Sequence, residues 1–387
     1  MSASQILKVS LIIFVYFISF LISISVTMNT NKTNVSNSKQ GGFSRGINLG
    51  NALEAPREGD WGVYLKEKYF QLIKDAGFDF IRVPIRWSAH ASSNDPYSIS
   101  TEFFKRIDWV IDQSLSRNLT VIINIHHYED LMNDPHVHKS SFLSIWRQIS
   151  TRYQDYSENL YFELLNEPTY NLNSSLWNQY LQEAIEIIRN TNPNRTLIVG
   201  PTNWNNLSDL EYLILPEDDS NIIATFHYYS PFLFTHQGAE WVQGSNQWLG
   251  TKWTGTESEK EAIRWDLNTA LQWAQDQNKT LLLGEFGAYN KAEMESRVRW
   301  TNFVAREAEK RQIAWAYWEF CAGFGIYDQE EKKWRLELLE ALVPTSPILT
   351  RVTTSTNHTT RYMENFLSIV TFATIALFFY RYRRRKT

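Results

Sequence analysis

The chain has 387 residues, 43% of them hydrophobic and 14% aromatic, with 15 tryptophans, so it can build one large core or two ordinary ones. Net charge is −4, yet Arg381, Arg383, Arg384, Arg385 and Lys386 alone carry +5; the remaining −9 argues against a nucleic-acid partner. A single cysteine, Cys321, excludes an intrachain disulfide.

Residues 1–26 contain an almost wholly apolar run, Val9 to Val26, preceded by Lys8, which reads as a secretory signal peptide or an uncleaved anchor. Residues 27–42 are polar and rich in Asn, Ser and Thr, and read as a disordered linker. Eight Asn-X-Ser/Thr sequons, at Asn31, Asn34, Asn118, Asn173, Asn194, Asn206, Asn278 and Asn357, fit a secreted glycoprotein.

From 43 to 343 the chain alternates strand-like and helix-like segments. Strands are expected at Ser44–Gly50, Phe78–Ile85, Val121–His127, Tyr161–Glu167, Thr196–Pro201, Ile222–Tyr229, Thr280–Phe286 and Ile313–Phe320. Helical periodicity falls at Lys66–Ala76, Thr101–Arg117, Ser141–Tyr153, Leu176–Asn190, a short piece near Leu207–Leu213, Glu259–Gln277, Met294–Lys310 and Trp334–Leu342. That rhythm predicts an α/β fold, a single (β/α)8 TIM barrel. The alternative, a doubly wound open sheet, lacks any Gly-x-Gly-x-x-Gly after a strand.

Beyond the body, 344–365 is a Ser/Thr-rich tether, and 366–380 is uncharged and reads as a transmembrane helix. The basic tail 381–387 places the C-terminus in the cytosol and the body in the lumen or outside. A membrane is thus an expected partner, reached through that helix, and the body is expected to be a monomer.

In such a barrel the chemistry lies at the carboxyl ends of the strands. Those ends carry Asn48 and Asn51, Arg82 and Trp87, His126 and His127, Asn166 and Glu167, Asn203 and Trp204, His227 and Tyr229, Glu285, then Trp318 and Glu319. Pro168 should hold Glu167 extended, so that strand four stops on its carboxylate. Two carboxylates, from strands four and seven, face each other across an eight-strand ring, which is the equipment of glycoside hydrolysis. The histidines lie on different strands without a His-Glu-x-x-His spacing, so neither a metal nor another cofactor is expected. Glu163, four residues before Glu167, should point into the barrel and require a buried partner.

The stretches Arg45-Gly46-Ile47-Asn48-Leu49-Gly50-Asn51, Ile81-Arg82-Val83-Pro84, Asn124-Ile125-His126-His127-Tyr128, Leu165-Asn166-Glu167-Pro168, His227-Tyr228-Tyr229, Gly284-Glu285-Phe286-Gly287 and Tyr317-Trp318-Glu319-Phe320 fall in order along 43–343. In them the body resembles the retaining endo-β-glycanases of glycoside hydrolase family 5, most of all the bacterial endoglucanases that also cleave β-mannans. The resemblance implies that Glu167 is proton donor and general base and that Glu285 is the nucleophile. It implies that Asn166 holds the sugar 2-hydroxyl and that Arg82 and Tyr229 hydrogen-bond Glu285 and keep it ionised. His126, His127 and His227 would orient substrate, and Trp318 would be a stacking floor. In the long loop after strand six, 230–258, His236 and Trp241 are expected to touch sugars, with Asn51 and Glu54 opposite. The implied activity is hydrolysis of β-1,4-glucan, with β-mannan as a second polysaccharide. The alternatives are a non-catalytic carbohydrate-binding barrel and a transglycosylase that remodels wall glycans.

Overall fold

A computed structural model describes residues 43–344. The expected signal or anchor, linker, tether, transmembrane helix and basic tail lie outside the described residues. Among the described residues no helix is long and apolar enough to cross a membrane.

Eight parallel strands close on themselves in sequence order: β1 Arg45–Asn48, β2 Phe80–Val83, β3 Thr120–Asn124, β4 Leu160–Glu163, β5 Leu197–Val199, β6 Ile222–Tyr228, β7 Thr280–Phe286 and β8 Ala314–Tyr317. β1 and β8 close the ring, with Arg45 opposite Trp315. Apart from β7, the strands are shorter than the apolar runs suggested. β4 stops at Glu163, and Glu167 lies in the following loop with φ 48°, in the left-handed region rather than extended. Pro168 disfavours the right-handed helical region for its predecessor, but the loop takes the left-handed alternative, so the carboxylate is carried by a turn and not by the last strand residue.

The strands read as buried because both faces are covered. Outward residues such as Ile81, Val83, Val121 and Ile123 pack beneath the helices in the main core. Inward residues change character along each strand. Phe80, Ile122, Ile198, Ile223 and Leu282 form an apolar plug closed from below by Phe43. Two residues further along β2, on the same face, is the fully buried Arg82, and two further on β3 is Asn124. Gly46 leaves room for this plug: a Cβ there would lie 2.2 Å from the Phe80 ring.

Helices start where the caps allow. The Ser100 hydroxyl accepts from Phe103 N at the start of Thr101–Leu115. Asn173 caps Ser174–Arg189, and a Thr256/Glu259 capping box opens Glu257–Asp276. The helix expected at Ser141–Tyr153 begins earlier, at Pro135, where proline is favoured at a helix start. Trp334 belongs to a two-residue hairpin arm, Lys333–Trp334, before the last helix, Leu336–Leu342.

Candidate active site

Arg82 is the hub of the polar layer above the plug. Its Nε donates to Glu163 Oε2 (2.6 Å) and its Nη2 to Glu163 Oε1 (2.7 Å). Nη2 also donates to Asn166 Oδ1 (2.7 Å), and Nη1 donates to Asn48 Oδ1 (2.8 Å) and to Glu285 Oε1 (2.7 Å). Every one of the five guanidinium N–H groups is therefore used. The partner that Glu163 needed is this arginine, and both side chains are fully buried. Asn48 is itself fixed, donating from Nδ2 to Gly284 O at 3.0 Å.

Glu285 reaches this network through an irregularity in β7. Phe226 pairs with Leu283 but His227 pairs with Glu285, so Gly284 is an extra residue between them. Only glycine fits there, because a Cβ would lie 2.6 Å from Thr225 Oγ1 and 3.1 Å from His227 Nε2. The bulge sets Glu285 beside His227. Tyr229 Oη donates to Glu285 Oε2 at 2.9 Å.

Glu167 shares a 2.7 Å hydrogen bond with His227 Nδ1. On the far side of that ring, Asn205 Nδ2 lies 3.2 Å from Nε2. With Nδ2 as donor, Nε2 accepts and the proton sits on Nδ1, aimed at Glu167. Asn205 is placed by a loop in which Asn203, Trp204 and Asn205 all have positive φ, at 58°, 61° and 53°. Nothing in the composition of that stretch had singled out Asn205; the Asn-rich run 203–206 was the available signal.

Glu167, His227 and Glu285 present facing atoms within 4.8 Å of one another. Three ligands of a cation could be spaced so, but the hydrogen bonds above already employ these atoms.

Burial dominates the protonation of the site. It raises the Glu167 carboxyl from 4.5 to about 7, against the Arg82 charge and a hydrogen bond from Asn166 and with help from Glu163. Burial also raises Glu285, opposed by His227 and Arg82. The bonds expected from Arg82 and Tyr229 are present and Arg82 acts to lower the carboxyl, but burial is the larger influence and the net shift is upward. His227 and His127 are lowered to about 4, and His126 well below 6.5, burial being the first cause in each. All three are neutral at neutral pH. The Glu167 side chain keeps 26% of its surface exposed against 6% for Glu285, so Glu167 lies nearer the mouth.

The other expected site residues divide. Trp318 is half-buried and lies parallel to the His126 ring at 5.9 Å. His127, with φ 50°, meets the exposed Trp61 edge-on. His236 is buried, stacked on Phe232 and edge-on to Tyr229, while Trp241 is exposed beside Tyr289. Asn51 is half-buried with φ 62°. Glu54, expected to touch sugar beside it, is 1% exposed and accepts from the Asn51 and Ala52 N–H groups instead. A carboxylate so engaged shapes the loop rather than lining the cleft. Trp253, in the same long loop after β6 as His236 and Trp241, is fully buried. Glu319 accepts from Cys321, Ala322 and Phe324 N–H at 2.6, 2.7 and 3.0 Å, a role the sequence did not suggest. Tyr170 and Trp204, both exposed, meet edge-on at 5.6 Å on the loops after β4 and β5.

A closed β/α barrel with two carboxyl groups this close over the carboxyl ends of its strands has the architecture of a retaining glycoside hydrolase. The chain belongs to the cellulase family, glycosyl hydrolase family 5, whose model matches residues 32–323. Endoglucanase H of Acetivibrio thermocellus is 36% identical over 303 residues, covering 77% of this chain and 32% of that protein. The chain thus spans about a third of that relative's length. Endoglucanase C of the same organism is 29% identical over 338 residues, covering 78% of this chain and 98% of that protein. Among solved structures, Thermotoga maritima Cel5A in complex with cellobiose is 53% identical with a TM-score of 0.77, covering 78% of this chain and 98% of that one. The same Cel5A with mannotriose matches equally, at 53% identity and TM-score 0.77 over the same shares.

Proposed function

We propose that this protein hydrolyses internal linkages of β-1,4-glucan with retention of configuration, with β-mannan as a second substrate. The observation that carries the reading is the carboxyl separation. Facing atoms of Glu167 and Glu285 lie within 4.8 Å, in the range of a nucleophile and an acid (about 5–5.5 Å) and short of the ~6.5–9.5 Å that leaves room for a water. Glu285, held by Arg82 and Tyr229, attacks the anomeric carbon as Glu167 gives its proton to the leaving oxygen. The glycosyl ester on Glu285 is then hydrolysed by a water that loses its proton to Glu167. A carboxyl raised to about 7 is protonated for the first step and basic enough for the second. Asn166, its Oδ1 occupied by Arg82 and one amide N–H turned to Glu167, keeps the other N–H for a sugar hydroxyl. In this reading Trp318, His126, His127, Trp241 and His236 contact the sugar rings, supported for Trp318 and Trp241 by their exposure. The mannan half of the reading is supported by the likeness to Cel5A, solved with both cellobiose and mannotriose.

The test is turnover of soluble β-glucan, mannan and xylan by the full-length chain and by Glu285→Gln, with the anomer of the first product read by NMR. Loss of turnover in a folded variant and a β-anomeric first product are expected. Undiminished activity, or an inverted product, would sink the proposal.

The same reading extends to location: a membrane-tethered body outside the cytosol, carrying N-glycans. Its support is the apolar stretches at both ends, the basic tail, and the exposure of all five body sequon asparagines, Asn118, Asn173, Asn194, Asn206 and Asn278. Expression in a eukaryotic secretory host should give a product that needs detergent for extraction and shifts in mass on glycan removal; a protein that stays soluble in the cytosol refutes it.

A further inference from the structure

We propose that Glu163 is a positioning residue that sets the charge balance of both glutamates through Arg82. The inference rests on the hydrolase reading above and concerns a residue that touches neither substrate nor the facing carboxyls.

Arg82 brings one positive charge and meets two buried carboxylates. Glu163 takes the forked pair, Nε and Nη2, at 2.6 and 2.7 Å, while Glu285 takes one Nη1 donor at 2.7 Å. Bidentate Arg–carboxylate pairing is the stronger arrangement, so the guanidinium charge is spent mainly on Glu163. Glu285 then receives an oriented donor without a full counter-charge. Glu167 likewise faces a near-neutral pair rather than a bare cation.

That balance suits the two tasks. An uncompensated arginine would stabilise the ionised nucleophile and weaken its attack, and would pull the acid down so that it loses its proton too early. The directions agree: Arg82 lowers Glu167 and Glu163 raises it. Geometry matters as well, because the fork to Glu163 fixes the guanidinium plane, and that plane aims Nη2 at Asn166 and Nη1 at Glu285. The charged and titratable groups of this cluster are Arg82 from β2, His126 and His127 past the end of β3, Glu163 and Glu167 from β4 and its exit, His227 and Tyr229 from β6 and its exit, and Glu285 from β7. Among these Glu163 is the anion that neither step of the reaction consumes.

The experiment compares pH profiles of kcat/KM on a soluble β-glucan for the full-length chain, Glu163→Gln and Glu163→Asp. The Gln variant keeps the shape and removes the charge. Both limbs of its bell should move toward acid by about 1 pH unit or more, and activity at pH 7 should fall about tenfold. The Asp variant keeps the charge, so its limbs should stay at the wild-type positions even if its melting temperature drops. A Gln variant with a lower melting temperature but unmoved limbs would mean that Glu163 is only structural, and would overturn the proposal. If the Gln variant does not fold, Glu163→Asn, which also removes the charge, takes its place: limbs moved toward acid support the charge role and unmoved limbs overturn it. Wild-type protein without turnover would defeat the hydrolase reading instead. Active wild type with inactive Glu285→Gln and unmoved Glu163→Gln limbs would defeat this inference alone.

Discussion

Two sets of buried carboxylates stand at the same face of the barrel and are stabilised in opposite ways. Glu163 and Glu285 share one arginine, with every guanidinium N–H accounted for. Among the described residues Glu54 and Glu319 have no arginine or lysine in hydrogen-bond range; they accept backbone N–H groups instead, from Asn51 and Ala52 and from Cys321, Ala322 and Phe324. The cationic partner gives the first set a mobile electrostatic role, since charge on one carboxylate is felt by the other through Arg82. Amide partners give the second set a local one: each carboxylate holds the loop that leaves its strand. Glu319 does so next to Trp318, and a Cβ on Gly50 would touch both that ring (3.0 Å) and Glu319 (3.2 Å). The loops after β1 and β8 are therefore braced against the wall of the cleft from behind.

The sharpest way to break this contrast is Arg82→Met. It leaves two carboxylates buried without a cation, and should cost about 3–5 kcal/mol in urea unfolding and abolish turnover. A loss below about 1 kcal/mol would show that the pairing is not what the cluster depends on. Glu319→Gln should cost less, about 1–3 kcal/mol, because an amide presents one N–H donor group to the N–H groups that a carboxylate accepts.

The two sets should also differ in where pH acts. Burial raises Glu54 from 4.5 to about 8 and Glu319 to about 7. A carboxyl that binds its proton more tightly in the folded state contributes stability fully below pH 4.5 and loses it as pH rises through the folded value. The melting temperature should thus decline between pH 4.5 and 8, and the slope should flatten in Glu54→Gln and Glu319→Gln. In the arginine-centred set the pH signature should appear in activity, with kcat/KM falling as Glu167 loses its proton above about pH 7. A pH-flat melting curve would remove the distinction. The smallest expected effect lies outside both sets: Trp204→Ala, at the exposed pair with Tyr170, should raise KM by about 0.5–1.5 kcal/mol of lost stacking and leave kcat nearly unchanged.

Much of this was legible from residue order. Apolar runs and period-3.6 patterning located all eight strands and the main helices, because a two-face-covered parallel strand is an apolar run and a surface helix carries an apolar stripe. β7 and the helix Met294–Lys310 fall at the expected residues. Glu167, Glu285, Arg82, Tyr229, His227 and Asn166 could be named because each lies at or just past a strand end, and the barrel gathers all such ends over one opening. What residue order could not supply was how backbone irregularities aim those groups. The left-handed turn at Glu167, the extra residue at Gly284 and the three left-handed residues 203–205 are set by contacts with neighbouring strands. Nor could it show that Glu54, past the end of β1, faces its own loop, since side-chain direction there depends on the turn and not on alternation; for Glu163, inside β4, it gave the inward direction but not the partner, Arg82. The upward shift of Glu285 was not legible for a related reason: the resemblance implied its hydrogen-bond partners, whereas the depth of burial that outweighs them exists only once eight strands and their loops have closed.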